Sequence, residues 1–244
     1  MQETSRFIIF WSLPSTALLI VLRAQIVRVL LGSGLFDWTA TRLTAAALAL
    51  FVLSSMFQSL MLLFMRGFYS AGFTKKPFYI NLVSTIILII STYLLVIGFS
   101  SSEAFRLFVS SLLKVEDLPG NAVLMLPLGF SIGTFVNCLI LWLSFEFEFK
   151  GFSKAVMRSF FQGLGASIVM ALVAYLGLNY FDSVFNLETL PGIFMQGFLS
   201  GIMAIISGVG ILALLKSQEL KQIWSVFKGR FWKIKVIATD PEIV

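Results

Sequence analysis

Six stretches of this chain are each apolar for long enough to cross a bilayer. They cover roughly residues 7–31, 42–65, 77–99, 122–145, 155–180 and 191–215. A helix needs about 20 apolar residues to traverse the hydrocarbon core. Strands are excluded as an alternative, because an open sheet leaves backbone groups unpaired in lipid. The expected fold is therefore all-α, a polytopic bundle of six transmembrane helices. Composition agrees: 58% of the 244 residues are hydrophobic and 12% charged, against about 25% charged in an average soluble domain.

The basic residues give the expected orientation. The N-terminus, the second and fourth loops and the tail hold Arg6, Arg66, Lys75, Lys76, Lys150, Lys154, Arg158 and six more from Lys216 to Lys235, 13 in all. The opposite loops hold Arg23, Arg28, Arg42, Arg106 and Lys114, five in all. The excess of Lys and Arg marks the cytoplasmic side, so both termini are expected there. The net charge of +6 points to anionic lipid headgroups rather than to nucleic acid, for which the chain has little polar surface.

Several chemistries are excluded by what is missing. The chain has no histidine and a single cysteine, Cys138, inside an apolar run. No zinc motif, G-x-S-x-G, P-loop or paired carboxylate appears. The acidic residues lie in loops, at helix ends or in tails. A proton relay or cation site built on mid-membrane carboxylates is therefore not expected. Neither enzyme activity nor a cofactor or metal is expected.

Two segments read as surface helices. In residues 100–118, Ser100 and Glu103 fit a capping box. Ala104, Phe105, Phe108, Leu112 and Leu113 follow at helical spacing, as for a helix at the outer interface. The tail, 217–236, sets Leu220, Ile223, Trp224, Phe227 and Phe231 among basic residues, as for a helix on anionic lipid, with Trp224 and Trp232 at headgroup level. Met1 to Arg6 reads as a polar stub, and residues 238–244 as disordered.

Within the spans, Arg23 has two readings. It snorkels outward beside Arg28, or it faces a cavity and meets a phosphate or carboxylate. The amides Gln58, Asn81, Asn137 and Gln162 and hydroxyls such as Ser54, Ser55, Ser59, Ser84 and Thr85 serve helix contacts or line a polar cavity. Gly129-x-x-x-Gly133 and Gly197-x-x-x-Gly201, the latter extended by Ala204 and Gly208, mark close helix packing. Pro14 and Pro127 are expected to bend spans one and four.

The stretch from Leu13 to Pro77 resembles the MurJ/MviN family of lipid II flippases. The likeness runs through Leu13-Pro14-Ser15, Ile26-Val27-Arg28-Val29-Leu30 and Gly34-Leu35-Phe36. It is sharpest from Arg66 to Pro77, with Phe68, Tyr69, Ser70 and Pro77 at its motif positions. Leu128 to Ile132, leading to Asn137, is similar to a later core helix. Gly72, Phe73 and Leu88 stand where the family often has polar residues, and residues 100–121 read as an insertion. The resemblance implies a MATE-like fold of about fourteen spans, of which these six are the last. It implies second-lobe helices over 1–149, a pair over 150–216 forming a groove for the polyprenyl tail, and a basic cytoplasmic tail over 217–244. The implied activity is alternating-access transport of a polyprenyl-diphosphate-linked sugar across the bacterial inner membrane, with membrane lipids and an N-terminal flippase half as partners. Two other readings of the chain are a flippase for other saccharide lipids and a non-transporting scaffold subunit.

Overall fold

The computed structural model describes residues 1–32 and 37–232, without the side chains of Ala155 and 227–232. The Gly34-Leu35-Phe36 stretch and residues 233–244 of the tail lie outside the described residues, as do the side chains of Phe227, Phe231 and Trp232. Every regular element among the described residues is helical. In chain order they are α1 (Gln2–Val21), α2 (Arg23–Leu31), α3 (Trp38–Ser70), α4 (Lys75–Ser101), α5 (Glu103–Leu113), a 3-10 turn (Asn121–Leu124), α6 (Met125–Glu148), α7 (Phe152–Asp182), α8 (Leu190–Leu214) and α9 (Gln218–Trp232). Six of these are long and apolar enough to span a membrane.

The first span departs from the expectation. It is broken at Leu22, which leaves the helical region at ψ 4°, and continues as the separate helix α2. Pro14 lies inside α1 without interrupting it. Pro127 also makes no break, because it is the third residue of α6, where a missing N–H has no carbonyl to serve. The cap of α5 is displaced as well. Ser102 adopts the extended backbone and its Oγ accepts from Phe105 N. Ser100 returns its hydroxyl to Val96 within α4. Glu103 is therefore the first helical residue rather than the third, and the capping box does not form.

The helices sort into two groups with α1 between them. One group is α3, α4 and α6. Gly129 and Gly133 bring α6 against α4: an added Cβ would come within 2.8 Å of the Thr92 Cα or 2.5 Å of the Leu88 Cβ. The other group is α7 and α8, where an added Cβ at Gly177 would meet the Ser200 Cα at 3.3 Å. Ile9 of α1 is wholly buried, and Gly163 of α7 admits Leu13 of α1.

An aromatic cluster joins α3, α6 and α7 at one end. Phe64, Phe68, Phe145 and Phe152 pack mostly edge to face, with ring centroids 5.1–5.5 Å apart. Such offset contacts add to simple burial. Glu146 closes the α6–α7 turn by accepting from the backbone of Gly151 and Ser153 and from the Ser153 hydroxyl. At the other end, α5 folds back over α3, α4 and α6. Val109 and Leu113 pack inward, while Leu107, Phe108 and Leu112 face outward. Phe108, Leu112, Phe105, Val109 and Leu113 thus form one continuous apolar side of α5, packed at one edge and exposed at the other, with Leu107 off it. Arg42 clasps the loop after α5 through Asp117, which holds that carboxyl below its usual range.

The N-terminal residues are not a loose stub, because α1 starts at Gln2. Arg6 donates to Glu219 at 2.7 Å and to Gln218 at 2.7 Å. Glu219 is 2% exposed and also accepts from Ser159 at 2.6 Å and Ser217 at 2.7 Å. This carboxylate fastens α9 to α1 and α7. Leu220 and Ile223 pack beside it against the cluster of Phe10, Ala166 and Leu212, and Trp224 remains exposed. Burial alone would raise the Glu219 pKa, but the hydrogen bonds from Ser159, Ser217 and Arg6 outweigh it and hold it below the usual value. A depressed carboxylate stabilises the fold above its unfolded pKa, and that stabilisation is lost as pH falls through the folded pKa. Replacing Glu219 by Gln is therefore expected to weaken α9 docking by about 1.5–3 kcal/mol at neutral pH. It should also flatten the acid dependence. Protease sensitivity of the tail, followed from neutral to acid pH, checks both.

Candidate functional site

Three of the amides expected to face a cavity come together between α3, α4 and α6. Asn137 donates from Nδ2 to Asn81 Oδ1 at 2.9 Å, and Asn81 points its own Nδ2 at the Met65 sulfur. Gln58 donates to Ser54 Oγ at 2.8 Å. Gln58 and Asn137 line a cavity of about 170 Å³ with Ser84, Thr85, Gly133 and Thr134. The Asn137 Oδ1 and the Ser84 Oγ are buried there with no hydrogen-bond partner. An unmet buried polar atom costs about 1–3 kcal/mol, so water or another group that supplies hydrogen bonds would be favoured in the chamber. It is uncharged, and no cluster of His, Cys, Asp or Glu suited to a metal exists among the described residues. It can bind water or a neutral polar group, and Gly133 leaves Leu88, rather than a polar residue, as its apolar wall.

A second feature is the open, mostly apolar cleft between α1 and α3. Its volume is about 410 Å³, and Thr4, Ser12, Ser15 and Ser59 line it alongside Phe7, Ile8 and Trp11. Ser12 and Ser59 return their protons to carbonyls one turn back in their own helices. Their oxygens still offer acceptor capacity on this open side.

The two arginines lie apart from the amide chamber. Arg23 is the first residue of α2, and its Nη2 reaches the carbonyl of Leu113 over a long 3.5 Å. It therefore sits at the C-terminus of α5, where the helix dipole favours a cation. Arg28 stacks over the Trp38 ring at 5.1 Å.

The motif from Arg66 to Pro77 forms the turn between α3 and α4. Phe68 is fully buried against Phe145, Ser70 donates to Gly67 O at 2.9 Å, and Tyr69 is exposed. Gly72 has φ +83°, a conformation that glycine adopts without strain. Pro77 is buried in the first turn of α4. On the α8 stripe, Gly197 and Gly201 face Gln25 and Leu22 of the first span, and Gly208 faces Met170 of α7.

Sequence reasoning passed over Glu219, because it occurs in a basic tail that reads as solvated. It also passed over Gln25 and Gln196, which bond to each other at 3.4 Å. Amides inside spans one and six were the available signal. For the amide chamber, Asn81→Leu is expected to cost about 1 kcal/mol by leaving the Asn137 Nδ2 unmet. Adding Asn137→Leu should cost less than the sum of the single changes, as thermal melting of the purified protein would show.

Comparison with curated proteins and with solved structures yields no match. The family described as lipid II flippase MurJ matches residues 1–196, which takes in α1 to α7 and the first turns of α8. With that match over most of its 244 residues, the chain belongs to the MurJ lipid II flippase family.

Proposed function

We propose that this chain is the C-terminal portion of a flippase for a lipid-linked peptidoglycan precursor in the bacterial inner membrane, working together with an N-terminal half. The carrying observation is the family match over residues 1–196; beside it stands the open cleft between α1 and α3, where Ser15, Ser59 and Trp11 are exposed. An outward-facing hydroxyl row suits a second helical lobe and the polar headgroup carried between the two. In this reading α1 to α6 move as one body during alternating access, and α7, α8 and α9 travel with them through the Glu219 contact. The substrate is a polyprenyl diphosphate bearing sugars, and both termini lie in the cytoplasm. The outward face of α5, with Leu107, Phe108 and Leu112, rests in the outer interface.

Cells depleted of their own flippase provide the test. This chain together with an N-terminal half from the same family is expected to restore growth, and neither is expected to do so by itself. Full rescue by this chain alone would overturn the half-transporter reading. Stable expression of both parts without rescue would favour a scaffold.

A further inference from the structure

The end of the bundle away from α9 holds two adjoining recesses. The first is polar, about 210 Å³, and is lined by Arg28, Trp38, Asp182, Gln25 and Gln196 among others. The second is an apolar groove of about 290 Å³ between α2 and α8, walled by Leu22, Ile26, Val29, Phe194 and Phe198. Gln25 and Ile193 line both, so the recesses are contiguous. The break at Leu22 starts α2 as a separate helix along α8, and Gly197 lets Gln25 lie close.

The polar recess carries opposite charges that do not meet. The ion pairs among the described residues join Arg6 to Glu219, Arg42 to Asp117, Lys76 to Glu148 and Arg106 to Glu103. Arg28 and Asp182 are in none of them, although they line the same small space. Trp38 holds the Arg28 guanidinium by a cation–π contact. Between the recesses, Gln196 donates to Leu178 O at 3.0 Å and accepts from Gln25 Nε2. The Gln25 Oε1 is left buried without a partner.

We infer that these recesses bind one zwitterionic phospholipid with a primary ammonium, of the phosphatidylethanolamine class. Its phosphate accepts from Arg28. Its ammonium donates to Asp182 and to the orphaned Gln25 oxygen. One chain of its tail lies in the α2–α8 groove. The charge pattern sets the preference. Phosphatidylglycerol brings no cation for Asp182, and phosphatidylcholine brings a quaternary nitrogen with no N–H to donate. The site does not depend on whether the chain transports anything.

Native mass spectrometry of the purified full chain, taken from vesicles of equal ethanolamine, glycerol and choline phospholipid, tests the inference. Ethanolamine lipid is expected to be retained preferentially. Arg28→Gln should lower its retention about tenfold, the loss of one charge-assisted contact, and Arg28→Lys, which keeps the charge, should retain most of it. Asp182→Asn should abolish the preference over the glycerol and choline lipids. Glycerophosphoethanolamine, which lacks the tails, should fail to compete. Retention of the three lipids in vesicle proportion by the unaltered chain, or unchanged preference in the double variant R28Q/D182N, would overturn the site. Competition by the free headgroup would overturn the role of the groove.

Discussion

The arrangement depends on the packing of one side of α1 between two helix groups. Hydrocarbon offers no hydrophobic drive to bring helices together, so association rests on close packing and a few polar contacts. Ile9, wholly buried, and Leu13, seated on Gly163, supply the packing. Arg6 supplies the polar contact through Glu219. Apart from this seam along α1, the α3, α4 and α6 group is joined to the α7–α8 pair by α2, which touches both α3 and α8, and by the aromatic cluster around Phe145 and Phe152.

The break at Leu22 follows from the same seam. The lower part of the first span is committed to α7 and α3, while its upper part turns to lie along α8 and α3. The helix is interrupted where Leu22 and Arg23 meet, between the part that packs on α7 and the part that packs on α8. The freed end of α2 and its Arg23 are then used to hold the C-terminus of α5. The groove between α2 and α8 has Gln25 at its edge.

Span number and class were legible in the sequence because twenty-residue apolar runs have few other fates. The cohabitation of Asn81, Asn137 and Gln58 was only half legible. Each was visible as an amide in lipid, but their meeting depends on Gly129 and Gly133 closing α6 onto α4. The expectation for Pro127 failed for a local reason, since it lies in a first turn where it removes no bond. Glu219 was hidden by its neighbours. A carboxylate among lysines reads as solvated, and its partners Arg6 and Ser159 are 213 and 60 residues away.

The proposed function turns on the open face at Ser12, Ser15 and Ser59. The most direct test places a photo-crosslinking residue at position 59 in cells that make both this chain and an N-terminal half of the family. The account predicts a covalent adduct with the N-terminal half at 59 and none from a control at Ile206, which is exposed on α8. Crosslinking of position 59 to lipid alone would contradict it.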